Sequence, residues 1–232
     1  MNNLQRKVHE FDERLTRAVK VERPDWLFTD VIAEGAVDLI FKTGEPGIQI
    51  VGDKLEDYSQ VTFNFFGTTI FVDDRRSGSV DIIGDLVKPA NLFKRFLRLF
   101  GIGSTISASK SPVLVCISQE KVPGLSHRGT GSVVAQNVKQ DGLIFQLEGV
   151  VDVMASGEVQ SLGVVLEGAG NVDVAALHAT KALFAISGAG SIKGYARKSV
   201  LNTISGAGSI AVSGNPLTRS QKITGAGSVD YV

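Results

Sequence analysis

Cysteine is almost absent: Cys116 is alone in 232 residues, which excludes an intramolecular disulfide and a thiolate metal cluster. Set in Val113-Leu-Val-Cys-Ile117, it reads as a small buried hydrophobe. A chain without disulfides suits a reducing or an oxidising compartment equally. No stretch reaches the ~18 consecutive apolar residues of a membrane-spanning helix. Net charge is also missing, since 24 bases balance 24 acids, so no bulk attraction to nucleic acid or to an anionic membrane is expected. The first residues, Met1-Asn-Asn-Leu-Gln-Arg-Lys7, hold no apolar core of a secretory signal. The expectation is a protein that acts where it is made or is released by lysis, or one whose leader has been removed. Of three histidines, His9 and His178 have no partner at metal-ligand spacing, and no metal or other cofactor is expected.

Glycine, by contrast, is abundant, with 26 residues, and much of it is periodic. One unit recurs: Leu147-Glu-Gly-Val-Val-Asp-Val153, Leu166-Glu-Gly-Ala-Gly-Asn-Val172, Ile186-Ser-Gly-Ala-Gly-Ser-Ile192, Ile204-Ser-Gly-Ala-Gly-Ser-Ile210 and Ile223-Thr-Gly-Ala-Gly-Ser-Val229. Leading glycines at 149, 168, 188, 206 and 225 are separated by 19, 20, 18 and 19 residues. His127-Arg-Gly-Thr-Gly-Ser-Val133 adds a unit upstream, with His127 in the opening aliphatic place, and Glu34-Gly-Ala-Val-Asp-Leu39 an earlier one. A step of about 20 residues is the mark of units that bury apolar faces by stacking. No amphipathic helical run occurs in the segment, so each unit reads as strand, glycine corner, strand. The corner glycines are Gly129, Gly131, Gly149, Gly168, Gly170, Gly188, Gly190, Gly206, Gly208, Gly225 and Gly227. Stacked units would align Leu147, Leu166, Ile186, Ile204 and Ile223 in one inward column and Val153, Val172, Ile192, Ile210 and Val229 in another. Asp152, Asn171, Ser191, Ser209 and Ser228 would form a polar column. This pattern predicts a parallel β-helix (β-solenoid) with coils of about 19 residues.

The repeated Ile-Ser-Gly-Ala-Gly-Ser-Ile, the Gly214-Asn-Pro216 before the last unit and the closing Gly225-Ala-Gly-Ser-Val229 resemble the bacterial auto-transporter adhesin family with the head GIN domain. The likeness is strong from about Gly129 to Val232 and weaker from about Trp26 to Val80. It implies a right-handed β-helix, export or surface linkage, and a role in adhesion; it brings no catalytic residues.

Residues 2–20 predict a helix. Leu4, Val8, Phe11, Leu15 and Ala18–Val19 recur at helical spacing among charged residues, and Glu10–Arg14 form an i,i+4 pair. Residues 1–24 then form a cap on the first coil or an arm for a partner, ahead of one β-helix domain over 25–232. From Trp26 to Val80 the signal is strand, with period-two alternation in Val61-Thr-Phe-Asn-Phe65, and Asp73-Asp-Arg-Arg76 reads as a solvated turn. Twelve of sixteen aromatics lie at or before Phe100, so the first half should have the wider core. A helical insertion is expected at about 85–103. Phe93, Phe96, Leu97 and Phe100 face one way, while Asn91, Lys94, Arg95 and Arg98 face the other. Such a helix packs over the sheet, enters a partner groove or rests on a membrane.

Catalysis finds little support. A polysaccharide-active β-helix needs carboxylates converging beside a sugar-stacking aromatic, but the polar column turns to serine after Asp38, Asp152 and Asn171. Gly-Ala-Gly-Ser is neither a nucleophile elbow nor a phosphate loop. The reading is a non-enzymatic, adhesin-like scaffold with a protein partner or self-association, and no small-molecule substrate. The alternative is a structural subunit of a virion or appendage. Ile223, Val229 and Tyr231 in the last unit, with Phe93, Lys94, Phe96, Leu97, Arg98 and Phe100, are the candidate interaction residues. Only Asp230-Tyr-Val232 follows that unit, so its outer side is expected to lie open to association.

Overall fold

A computed structural model describes residues 3–16, 20–22, 27–51, 61–74 and 112–232. It opens with helix α1 (Asn3–Leu15). Twelve strands follow: β1 (Lys20–Glu22), β2 (Asp30–Lys42), β3 (Gly47–Val51), β4 (Val61–Phe66), β5 (Thr69–Asp74), β6 (Val113–Ser118), β7 (Gly124–Ala169), β8 (Asn171–Gly188), β9 (Ser191–Gly206), β10 (Ser209–Ser213), β11 (Thr218–Gly225) and β12 (Ser228–Tyr231).

The all-β class expected from the sequence holds, whereas the right-handed parallel β-helix does not. The strands form one mixed sheet in the order β1-β3-β6-β2-β7-β8-β9-β10-β12, with β11 on β9 and the β4–β5 pair on β2. Pairings β1–β3, β3–β6 and β4–β5 are antiparallel, which a solenoid of equivalent coils does not contain. The error has a physical source. A 20-residue step dictates which unit lies beside which, but it carries no information on closure or on the strands outside the repeat. In the first half, β4 and β5 are separated by Gly67-Thr68, with Gly67 at φ 59°, and fold back as an antiparallel hairpin. The expected helical insertion at about 85–103, with its candidate residues Phe93, Lys94, Phe96, Leu97, Arg98 and Phe100, lies outside the described residues.

Within the repeat the pairing is parallel and in register, unit upon unit. Val153 pairs with Val172, Val172 with Ile192, Ile192 with Ile210, and Ile210 with Val229. Leu166, Ile186, Ile204 and Ile223 align the same way. Alternate residues of each strand enter one continuous core, and a fully buried aliphatic side chain there contributes about 1.5–3 kcal/mol. Ile186 and Ile204 are buried, but Ile223 is 39% exposed, because β11 lies at the margin of the sheet and pairs only with β9. Core volume is balanced between neighbours. Gly194 stands where a Cβ would strike the Phe184 ring, and Phe184 fills that room, fully buried.

Helix α1 forms a second, smaller core on the outside of the sheet. Phe11 is fully buried against Ile40, Val51, Leu114, Cys116 and Val134, with Leu4, Val8 and Leu15 around it. The helix therefore covers a sheet face rather than the end of a coil. The expected Glu10–Arg14 pair is replaced: Lys7 takes Glu10 at 3.1 Å, and Arg14 reaches Asp38 at 2.6 Å.

The corners fix the stacking distance. Gly206 has φ 124°, and a Cβ on it would overlap the carbonyl oxygen of Gly188 in the neighbouring unit. Gly206→Val should accordingly destabilise the protein by about 2–4 kcal/mol, combining backbone strain with a displaced carbonyl. Gly142→Ala, at a glycine with open space around it, should melt within about 0.5–1 kcal/mol of the parent. Equal melting of both variants in thermal denaturation would remove the corner argument.

Candidate functional site

Three polar constellations stand out on this framework, the first where α1 meets the sheet and the other two along the repeat register. The first lies beside α1, where a cleft of about 520 Å³ is lined by Lys7, Glu10, Arg14, Asp38, Pro112, Thr130, Gly131, Ser132 and Val150. Asp38 anchors it. Its Oδ2 accepts from the Arg14 guanidinium at 2.6 Å, its Oδ1 accepts from the Ser132 backbone N–H at 2.8 Å, and only 6% of its side chain is exposed. Arg14 also donates to the Pro112 carbonyl at 2.7 Å. The cleft's cations are thus engaged by Glu10 and Asp38.

Beneath the cleft lies His127, 1% exposed, with Nε2 at 2.8 Å from the Val37 carbonyl oxygen and Nδ1 without a hydrogen-bond partner. Burial pushes its pKa below the usual histidine range, against the Val37 hydrogen bond and the Asp38 charge, so the ring is neutral and donates from Nε2. Its place is the core position anticipated for the opening residue of that unit.

The second constellation is a charged ladder just before the corner glycines. Arg128 sits between Glu148 at 2.7 Å and Glu34 at 3.5 Å. Burial raises the Glu34 carboxyl above the usual range, and Asp73 and Glu148 add to this while Arg128 opposes it. Cys116 is buried, as expected, and burial raises its thiol pKa. Asp74, expected in a solvated turn, is instead 1% exposed at the end of β5. No group of three or more His, Cys, Asp or Glu side chains among the described residues is placed to hold a metal ion.

The third is the polar column beside the corners. Asp152 Oδ1 accepts the backbone N–H of Asn171 at 2.9 Å, and Asn171 Oδ1 accepts from Ser191 Oγ at 2.9 Å. After that the backbone takes over: the N–H groups of Ser191, Ser209 and Ser228 donate to the carbonyls of Gly170, Gly190 and Gly208, each at 3.0 Å. The column continues the hydrogen-bond ladder across a bend. Its members are engaged with one another and have the chemistry of structural braces.

The outer side of the last unit lies open, since every residue of β11 is exposed and β11 pairs, among the described residues, with β9 alone, but that side is polar. Positions that are aliphatic or aromatic in earlier units become polar: Arg219 pairs with Val200, and Gln221 with Asn202. The Arg219 guanidinium lies 4.3 Å from the Tyr231 ring centre and donates to Asn215 Oδ1 at 2.6 Å and to the Pro216 carbonyl at 3.1 Å. Asn202, fully buried, donates to Tyr231 Oη at 3.2 Å. Tyr231 is therefore part of a polar cover, with Ile223 and Val229 beside it. Asn202 and Arg219 were missed in the sequence; each breaks an otherwise apolar column once the register is known, and that break was the available signal.

Three substitutions test these placements. Asp38→Ala removes the carboxylate that pairs with Arg14 and leaves the Ser132 amide without its acceptor, and should cost about 3–5 kcal/mol in urea denaturation. Asp152→Ala, at an exposed position, should cost at most about 1 kcal/mol. For His127, the unfolded chain binds a proton near pH 6.5 and the folded chain only at lower pH. Its contribution to stability is full above about pH 6.5 and is lost as pH falls toward the lowered folded value. His127→Gln should flatten that part of the stability–pH curve; an unchanged slope would show that another group sets it.

Comparison with known proteins agrees with the repeat. Residues 104–216 match the family model described as "Putative auto-transporter adhesin, head GIN domain". No curated protein matches the chain. Among solved structures, the chain is similar to a putative adhesin from Bacteroides fragilis NCTC 9343, at 20% identity and TM-score 0.55 over 93% of this chain and 99% of that one. It also matches a putative adhesin from Parabacteroides merdae ATCC 43184, at 17% identity and TM-score 0.46 over 92% and 95% of the two chains. A third structure is a putative lipid binding protein from Parabacteroides distasonis ATCC 8503, at 15% identity and TM-score 0.41 over 92% and 96%. The Bacteroides fragilis likeness is one of fold. The family likeness rests on residues 104–216, which hold most of the stacked units.

Proposed function

We propose that this protein is a non-enzymatic, adhesin-like binding protein that presents a rigid stack of β units to a protein or polymer surface. The observation that carries the reading is the coincidence of the family match at 104–216 with the segment whose units are locked in parallel register. A stack held by corner glycines and continuous backbone pairing keeps its outer residues at fixed spacing, which suits recognition of an extended surface. Chemistry at the polar positions supports the same reading. Asp38 is tied to Arg14, Asp152 to Asn171 and Arg128 to two glutamates, so these groups are engaged in bracing.

The test uses beads coated with the folded chain, passed over immobilised matrix proteins and surface polysaccharides, while released sugar is measured in the effluent. Saturable retention without sugar release is expected. Retention no greater than that of beads carrying heat-unfolded chain would sink the adhesive reading, and steady sugar release would overturn the non-enzymatic one.

A further inference from the structure

One outer face of the repeat carries a pattern that neither the core nor the corners require. Residues that alternate with the buried positions of the strands leading into the corners point outward. The register aligns Ser161, Lys181 and Ser199; Gly163, Leu183 and Leu201; Val165, Ala185 and Thr203; and Glu167, Ser187 and Ser205. Ile144 continues the second column below Gly163, where a Cβ on that glycine would meet its side chain at 3.5 Å. Ile144, Leu183 and Leu201 are 54%, 40% and 42% exposed and occupy one column, which Gly163 interrupts between Ile144 and Leu183. Isolated exposed leucines need no explanation, but a column of them on a flat sheet face does.

Gly163 sharpens the point. It lacks the left-handed backbone angle of the corner glycines, and a Cβ there would make only ordinary contacts. Nothing in the fold requires glycine at this position. Its effect is a gap between Ile144 and Leu183, which stand two units apart, or about 9.6 Å.

We propose that this face docks on the same face of a second copy of the chain. The argument is self-complementarity. A two-fold axis parallel to the stacking direction keeps each unit opposite its own counterpart and reverses the order of the columns. The second column then faces the third: Leu183 meets Ala185 of the other copy, and Val165 meets the gap at Gly163. Leu183 and Val165 thus each face a small residue, and Leu201 meets Thr203 of the other copy. The same operation brings Lys181 opposite Ser187 of the other copy, one unit or about 4.8 Å along the stack from its Glu167, within reach of a lysine side chain. Opposite charges thus meet twice, symmetrically, at the rim. An isologous contact requires this reciprocity, and aligned packing of two sheet faces is a standard geometry. The whole face spans about three units by four alternate residues, with only the two middle columns apolar, small beside the ~800 Å² per partner of a typical stable interface, so the dimer should be a weak one.

Sedimentation equilibrium of the full chain from ~10 μM to ~1 mM tests this, a range suited to a contact of that size. A monomer–dimer equilibrium is expected, weakened at least about tenfold by Leu183→Arg, whose side chain lies outside the core, with the melting temperature unchanged. Lys181→Glu should weaken it as well, and adding Glu167→Lys should restore it, because the restored pair exists only between copies. A chain that stays monomeric over the whole range would overturn the proposal. Association indifferent to Leu183→Arg, or no recovery in the double charge reversal, would do the same. A monomer that instead binds neutral phosphatidylcholine vesicles, and loses that binding in Leu183→Arg, would assign the face to lipid and overturn the proposal too.

Discussion

The constraint on which the rest depends is the contact of backbone with backbone at the corners. At Gly206 the chain turns with its α-carbon against the Gly188 carbonyl, and Gly149 meets Gly129 in the same way. A side chain cannot enter, so neighbouring units approach to the distance that sheet pairing requires. Ala189, Ala207 and Ala226 then donate to the carbonyls of Gly168, Gly188 and Gly206 at 2.9–3.0 Å, and the ladder continues through the bend. A misplaced unit would lose these bonds and turn its apolar residues outward together. Register in this region is therefore fixed by sterics and hydrogen bonding at one place, with the core columns following.

Around that spine, the two ends of the sheet are finished differently. At the first end, antiparallel strands β1, β3 and β4 flank the parallel set, and α1 buries Phe11 on an outer face with Arg14 bridging to Asp38. At the other, the unit containing β11 and β12 exchanges aliphatic positions for Arg219, Gln221 and Tyr231. A terminal unit with a polar outer side is what a stacked array needs, because a bare apolar layer would invite further stacking.

The repeat was legible because it is written in residues with narrow backbone preferences. Gly-Ala-Gly between two aliphatic positions has few conformational uses, and its spacing gave the true neighbours: Ile186 beside Ile204, Ile204 beside Ile223. Helix α1 was legible for a similar reason, since Leu4, Val8, Phe11 and Leu15 keep a helical period. What the helix covers was not, because periodicity marks an apolar face without naming its partner. Closure into a β-helix was an over-reading of the same kind: pairing of successive units is a local property, whereas the mixed sheet depends on β1, β3 and β4, short strands with no repeat to mark them. Asn202 and Arg219 look like ordinary polar residues of alternating strands until the register shows that they occupy core columns.

The uneven repeat length has a definite location in space. Between β7 and β8 the pairing offset changes from Val153↔Val172 to Ser156↔Ala176, and between β8 and β9 it changes from Asp173↔Lys193 to Ala179↔Ala196 and again to Lys181↔Ser199. From there to the next glycine corner the offset is constant. Residues are gained or lost in the stretch following each corner strand, where a bulge absorbs them, and never at the corner itself. Within this chain the corner is the invariant part of the unit, and the stretch at the register shift is where length can change. Related chains should therefore vary in length there first, and a foreign loop grafted in that stretch would meet the least resistance from the stack.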